Sequence, residues 1–83
     1  MTQGFVAALG TWRDRRGPLA RALSAAVREA VVDGRLPAGT RLPSERELAR
    51  VLGLSRGTVV TALTLLRHDG WLHTRHGLSL IHV

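Results

Sequence analysis

Leu42-Pro43-Ser44-Glu45-Arg46-Glu47-Leu48-Ala49-Arg50-Val51-Leu52-Gly53-Leu54-Ser55-Arg56-Gly57-Thr58-Val59 is the stretch that decides the fold. Ser44 stands where a helix N-cap belongs. Glu47, three residues on, can reach back to the Ser44 amide, the reciprocal pattern of a capping box. Leu48, Val51 and Leu52 follow at helical spacing and predict a buried face. Gly53 supplies a left-handed stop. Only Leu54 separates it from a second cap, Ser55. From there a helix is predicted to about Asp69, with Val59, Ala62, Leu63 and Leu66 inward and Gly70 as its stop. Two helices joined by so short a turn containing Gly form a helix-turn-helix.

Upstream, Pro18 is predicted as the first residue of a scaffold helix. Leu19, Ala22, Leu23, Ala26, Val27, Ala30 and Val31 make its apolar stripe, and Gly34 ends it. Pro37 and Gly39 mark a turn. Thr40 to Leu42 can then form a very short strand, ended by Pro43. Downstream, Trp71 to Arg75 reads as a strand, His76 to Ser79 as a turn, and Leu80 to Val83 as the returning strand. At the N-terminus Phe5, Leu9 and Trp12 are spaced for a short extra helix over residues 5–12, and Arg13 to Gly17 form a polar link. The expected class is mainly α with a small β-hairpin (α+β). It is a winged helix-turn-helix: a three-helix core, a C-terminal wing and an N-terminal helix. Residues 1–17 are the extension and 18–83 the winged-helix domain.

Composition narrows the function. A chain of 83 residues makes one domain that buries about 60–65% of its unfolded surface, too small for a deep two-walled cleft. It has no cysteine, which excludes disulfides and thiolate zinc sites. Every basic residue is Arg, so Schiff-base chemistry on a lysine is excluded within this chain. No apolar run is long enough to span a membrane, and no signal pattern opens the chain. A cytoplasmic protein at the nucleoid is expected. The net charge of +6 points to a polyanion. It is concentrated after residue 34, where Arg35, Arg41, Arg46, Arg50, Arg56, Arg67 and Arg75 face only Glu45, Glu47 and Asp69.

The candidate DNA-binding residues follow from chemistry. Ser55, Arg56, Gly57 and Thr58 form the first turn of the second helix of the pair. Free amides and the positive dipole end there attract phosphate. Gly57 permits close approach at a cost of about 0.5–1 kcal/mol relative to Ala. Arg56 is forked to meet guanine O6/N7 or phosphate. Arg46 lies in the turn that crosses the DNA backbone, with a surface ion pair to Glu47 or to the neighbours of Arg50 as its alternative. Arg50 reads as a solvated charge. Arg75, His76 and Gly77 form the wing tip. Ser55 serves equally as a plain cap, and His76 equally as a solvated loop residue. His73 and His76 sit across a strand-to-turn boundary without a carboxylate cluster, so no metal site is expected. His68 and Asp69 are adjacent in a helix and expected to diverge. No nucleophile–base–orienter set is evident.

Residues 18–83, through the run from Asp33 to Ala49, the Leu52–Val59 segment and Asp69-Gly70-Trp71-Leu72, resemble the N-terminal winged helix of the GntR family. Ser55-Arg56-Gly57-Thr58-Val59, with Leu9-Gly10-Thr11-Trp12 and Gly17-Pro18-Leu19 before it, is most similar to the MocR/PdxR branch. The resemblance implies sequence-specific binding of double-stranded operator DNA, with two half-sites and a homodimeric full-length protein. It implies contacts at Arg46, at Ser55 to Thr58, and at His76 and Gly77. It also implies a pyridoxal-phosphate-holding domain beyond the wing, so the chain is expected to be truncated there and to bind no cofactor itself. Two departures stand out. Val60 occupies a position where some members carry Arg, and Gly77-Leu78-Ser79-Leu80 lacks the second Gly and the Thr of the usual wing. A winged helix used for protein contact is the alternative function. A small enzyme has no supporting residues.

Overall fold

The computed structural model describes residues 2–14 and 16–82, with side chains from Gly4 onward among these. Helix α1 is Thr2–Leu9, followed by a 3₁₀ turn at Trp12–Asp14. Then come α2 (Leu19–Val32), α3 (Glu45–Leu52), α4 (Arg56–His68), β1 (Leu72–Arg75) and β2 (Leu78–Ile81). Arg15, within the expected polar link, and Val83, within the expected last strand, lie outside the described residues.

The caps act as their chemistry dictates. Ser44 Oγ accepts from the Glu47 amide at 3.1 Å, and Ser55 Oγ accepts from the Thr58 amide at 3.2 Å. Gly53 ends α3 at φ 66°, a conformation that costs an L-residue about 1–2 kcal/mol. The helices on either side of it meet at a bend of 118°. Pro18 is not the first helical residue. It is the N-cap, with ψ 141°, so its carbonyl rather than its ring starts the ladder, accepting from Ala22 at 3.0 Å. Leu19 is 41% exposed, because the first turn of α2 runs out beside Ser55 and Gly57 rather than over the core.

α2 packs mainly against α4. The stripe Ala22, Ala26 and Ala30 on α2 is buried along with Ala62 on α4, and side chains this short let the two backbones come close. Leu23, Val27, Leu48, Val59, Leu66 and Ile81 are the largest side chains fully enclosed. Val51, expected inward, is only half-buried.

Phe5, Leu9 and Trp12 are each about as buried as the rest of the core. Two arginines fasten the segment that carries them. Arg13 lies over the Trp12 ring, 5.2 Å from its centroid, and its guanidinium donates to the Leu52 carbonyl at the end of α3. Arg35 donates to the Ala8 carbonyl at the end of α1 and pairs with Asp33 at 3.0 Å. Each puts a cation on the negative end of a helix dipole. The stretch expected as a polar link thus begins with a clamp.

The hairpin is shorter at its turn than expected. β1 and β2 are antiparallel, with Leu72 opposite Ile81 and Arg75 opposite Leu78. Leu78 and Ser79, read from sequence as turn, are therefore strand, and the reversal is made by His76 and Gly77 alone. Their φ values of 52° and 76° are those of a type I′ turn, whose twist matches that of the paired strands. Trp71 precedes the strand rather than starting it. The strand expected at Thr40–Leu42 is reduced to one bridge, Arg41 to Leu80. It is flanked by bonds from Ile81 to Thr40 and from Leu42 to Ser79, both 2.9 Å. Pro43 has no N–H to carry it further.

Two outcomes follow for urea unfolding. Trp12→Ala is expected to lose about 3–5 kcal/mol, the cost of emptying a core aromatic site, and a loss below 1 kcal/mol would mean the N-terminal segment is not part of the core. Gly77→Ala is expected to lose about 1–2 kcal/mol, the cost of a left-handed L-residue.

Candidate nucleic-acid interface

The first turns of α3 and α4 come together on one groove, which Glu45, Arg46 and Arg56 line. Arg46 is exposed in the first turn of α3. Glu47, its expected ion-pair alternative, instead takes two bonds from Arg50, at 2.9 and 2.7 Å. That hydrogen bonding and the carboxylate charge raise the Arg50 pKa above its ordinary value. Arg50 is thus paired rather than simply solvated, and Arg46 makes no ion pair with a described residue.

At the start of α4, Ser55, Arg56 and Gly57 are exposed and Thr58 is half-buried. The Ser55 and Thr58 hydroxyls lie 2.9 Å apart and bond to each other. One hydroxyl proton is therefore used internally. Arg56 reaches back across the corner to Glu45, Nη2 to Oε1 3.7 Å. Both side chains keep substantial exposure, so the pair contributes no more than about 1 kcal/mol. It still matters for position, because a cation in a first turn opposes the helix dipole and Glu45 offsets that. Gly57 is informative by what surrounds it. A Cβ placed there meets nothing within 4 Å, and its φ is not in the left-handed range. Neither packing nor backbone conformation within this chain requires glycine at that site.

A groove of about 570 Å³ runs between α4 and the hairpin, with the start of α3 at one end. Of the residues singled out from sequence, it brings together Arg46, Arg56 and Gly77. Ser55, Gly57 and Thr58 open on the other side of α4, onto a shallow hollow shared with Leu19 and Thr61. Arg75 and His76 stand exposed at the hairpin tip and line neither concavity. Sequence reasoning passed over Arg41, Glu45 and Arg67, which also line the groove. Arg67 was findable: with Arg56 and Leu63 it falls on one stripe at spacings of seven and four. Val60 is 38% exposed on α4, so part of the helix surface near these residues is apolar.

The arrangement does not favour other chemistries. Among the described residues no group of His, Asp and Glu converges as a metal site. His68 and Asp69 do not diverge as expected. Asp69 leaves the helical conformation at the C-cap, φ −85° and ψ 3°, and its carboxylate comes within 3.4 Å of His68 Nδ1. Both are exposed, and among the described residues no serine hydroxyl is bonded to either. Among the described residues no single helix is long and apolar enough to cross a membrane.

Comparison with known proteins agrees with this geometry. The profile of the family described as bacterial regulatory proteins, gntR family, matches residues 19–80. An HTH-type transcriptional regulator of Mycobacterium tuberculosis is 48% identical over 62 residues, which are 75% of this chain and 23% of that protein. The fatty acid metabolism regulator protein of Vibrio cholerae is 45% identical over 49 residues, 59% of this chain and 18% of that protein. This chain therefore spans under a quarter of the length of these relatives. YtrA from Sulfolobus acidocaldarius, a GntR-family transcription factor, superposes with a TM-score of 0.80 at 27% identity, covering 86% of this chain and 76% of YtrA. A GntR-family regulator from Pseudomonas syringae superposes with a TM-score of 0.78 at 31% identity, covering 99% of this chain and 35% of that one. The chain belongs to the gntR family of bacterial regulatory proteins and carries that family's winged-helix DNA-binding module, not the catalytic domain of an enzyme.

Proposed function

We propose that this chain reads operator DNA by inserting the start of α4 into the major groove and laying the hairpin, residues 75–80, at the adjacent minor groove or backbone. The observation that carries this is the convergence of Arg46 and Arg56 with the wing residue Gly77 on one groove beside the exposed start of α4. An arginine lining favours a polyanion over an apolar protein surface, which weighs against the protein-contact alternative. In this reading Arg56 and Arg46 meet base edges or phosphates. Ser55, Gly57 and Thr58 bring the backbone amides of α4 to a phosphate. Arg75, His76 and Gly77 touch the duplex at the wing.

Gly57 supports the reading independently. Glycine in a helix costs stability, and nothing within this chain needs it there. A DNA strand pressed against that turn would need it.

The wider protein enters only by inference. Its relatives are several times longer than this chain, and we propose that the parent is a cytoplasmic, nucleoid-associated homodimer. Two copies would then address half-sites about 34–36 Å apart, one helical turn. Membership of the MocR/PdxR branch, with pyridoxal phosphate held in a following domain and none in this one, rests on the Ser55–Val59 sequence and its N-terminal context.

Gly57→Ala separates folding from function. It is expected to raise urea stability by about 0.5–1 kcal/mol while weakening binding to a duplex selected from a random library at least tenfold. Gain or parity in binding would remove Gly57 from the interface. Arg56→Ala is expected to lose about 1–3 kcal/mol of binding and to relax preference at one base pair. Equal loss on selected and random duplexes would make Arg56 a phosphate contact instead.

A further inference from the structure

Adjacent grooves of a duplex are separated by one sugar–phosphate strand. A protein that puts a helix in one groove and a wing in the next must receive that strand between them. In this chain the space between is the groove along α4 and the hairpin. We propose that this groove seats one DNA strand and that Arg41 and Arg67, on its walls, are phosphate ligands. The inference rests on the DNA reading above and deepens it.

Charge and placement both support this. The charged residues lining the groove are Arg41, Glu45, Arg46, Arg56 and Arg67. The one carboxylate among them is engaged by Arg56. Arg41, Arg46 and Arg67 make no ion pair with any described residue, so their charge is available to an incoming anion. Both arginines sit on regular backbone. Arg41 is pinned to the edge of β2 by its bridge to Leu80, and Arg67 sits in the last turn of α4. A guanidinium near a helix C-terminus also complements the dipole, but that role asks nothing of the groove it faces. Arg56 and Arg67 are separated by a rise of about 16 Å along α4, so the cations line the length of the channel rather than one point. Phosphodiester oxygens suit such forked donors, and phosphate contacts fix register without carrying sequence information.

The test is a salt titration of duplex binding by fluorescence anisotropy, using the selected duplex and a random-sequence duplex. Arg41→Gln and Arg67→Gln are compared singly with Arg28→Gln, a charge-matched change on α2 beside Val32 and Trp71. Circular dichroism and urea midpoints establish that each variant is folded. Each groove variant is expected to lower the slope of log K against log salt by about 0.9, the loss of one phosphate contact. Between 50 and 200 mM salt it would then shed about 3.5-fold less affinity than wild type. The change is expected to be equal on both duplexes, and Arg28→Gln is expected to leave the slope unchanged. Groove variants with the wild-type slope, while wild type binds, overturn this inference alone. Wild type that binds neither duplex overturns the DNA reading and this inference with it.

Discussion

The corner between α3 and α4 is made by Gly53, Leu54 and Ser55, and the geometry of the reading face depends on it. Gly53 must be left-handed to stop one helix, and Ser55 must cap the next. Across these few residues the chain turns through 118°. That turn brings Glu45 to Arg56 and sets Arg46 beside the same groove. Arg13 reinforces the corner from outside by bonding the Leu52 carbonyl at its edge. The N-terminal segment therefore supports the reading face as well as enlarging the core.

Local chemistry was legible in the sequence and long-range chemistry was not. Both N-caps, the glycine stops and most of the apolar stripes of α2 and α4 are signals contained within a turn or two of helix, and the structure forms them where they were read, apart from Leu19, which is exposed, and Val31, which is half-buried. The clamps made by Arg13 and Arg35 join residues 39 and 27 positions apart. No spacing rule announces such a bond, and Arg13 looked like part of a polar link. The wing was misread for a different reason. A type I′ turn normally advertises itself with Asn or Asp before Gly, whereas His76 occupies that place. Without the signal, Leu78 and Ser79 passed for turn residues. Thr40–Leu42 formed less strand than expected because Pro43 cuts the ladder.

The candidate interface was partly legible. Caps and the glycine of a first turn can be seen in one dimension. The groove cannot, because its walls come from α3, α4, the hairpin and the Arg41 bridge at once. Glu45 was overlooked because its partner is Arg56, on the far side of the corner. Val60 puts an apolar side chain on the exposed part of α4. The proposed reading gives the cations along the groove the task of holding the sugar–phosphate backbone.

The most direct measurement is an NMR titration of the 83-residue chain with a selected duplex, following backbone amides and arginine side chains. Shifts are expected to concentrate at Arg41, Arg46, Ser55 to Thr58, Arg67 and Arg75 to Gly77, while Arg28 to Asp33 on α2 stay still. Shifts centred on Val32 and Trp71, or none at a duplex concentration that saturates anisotropy, would contradict it.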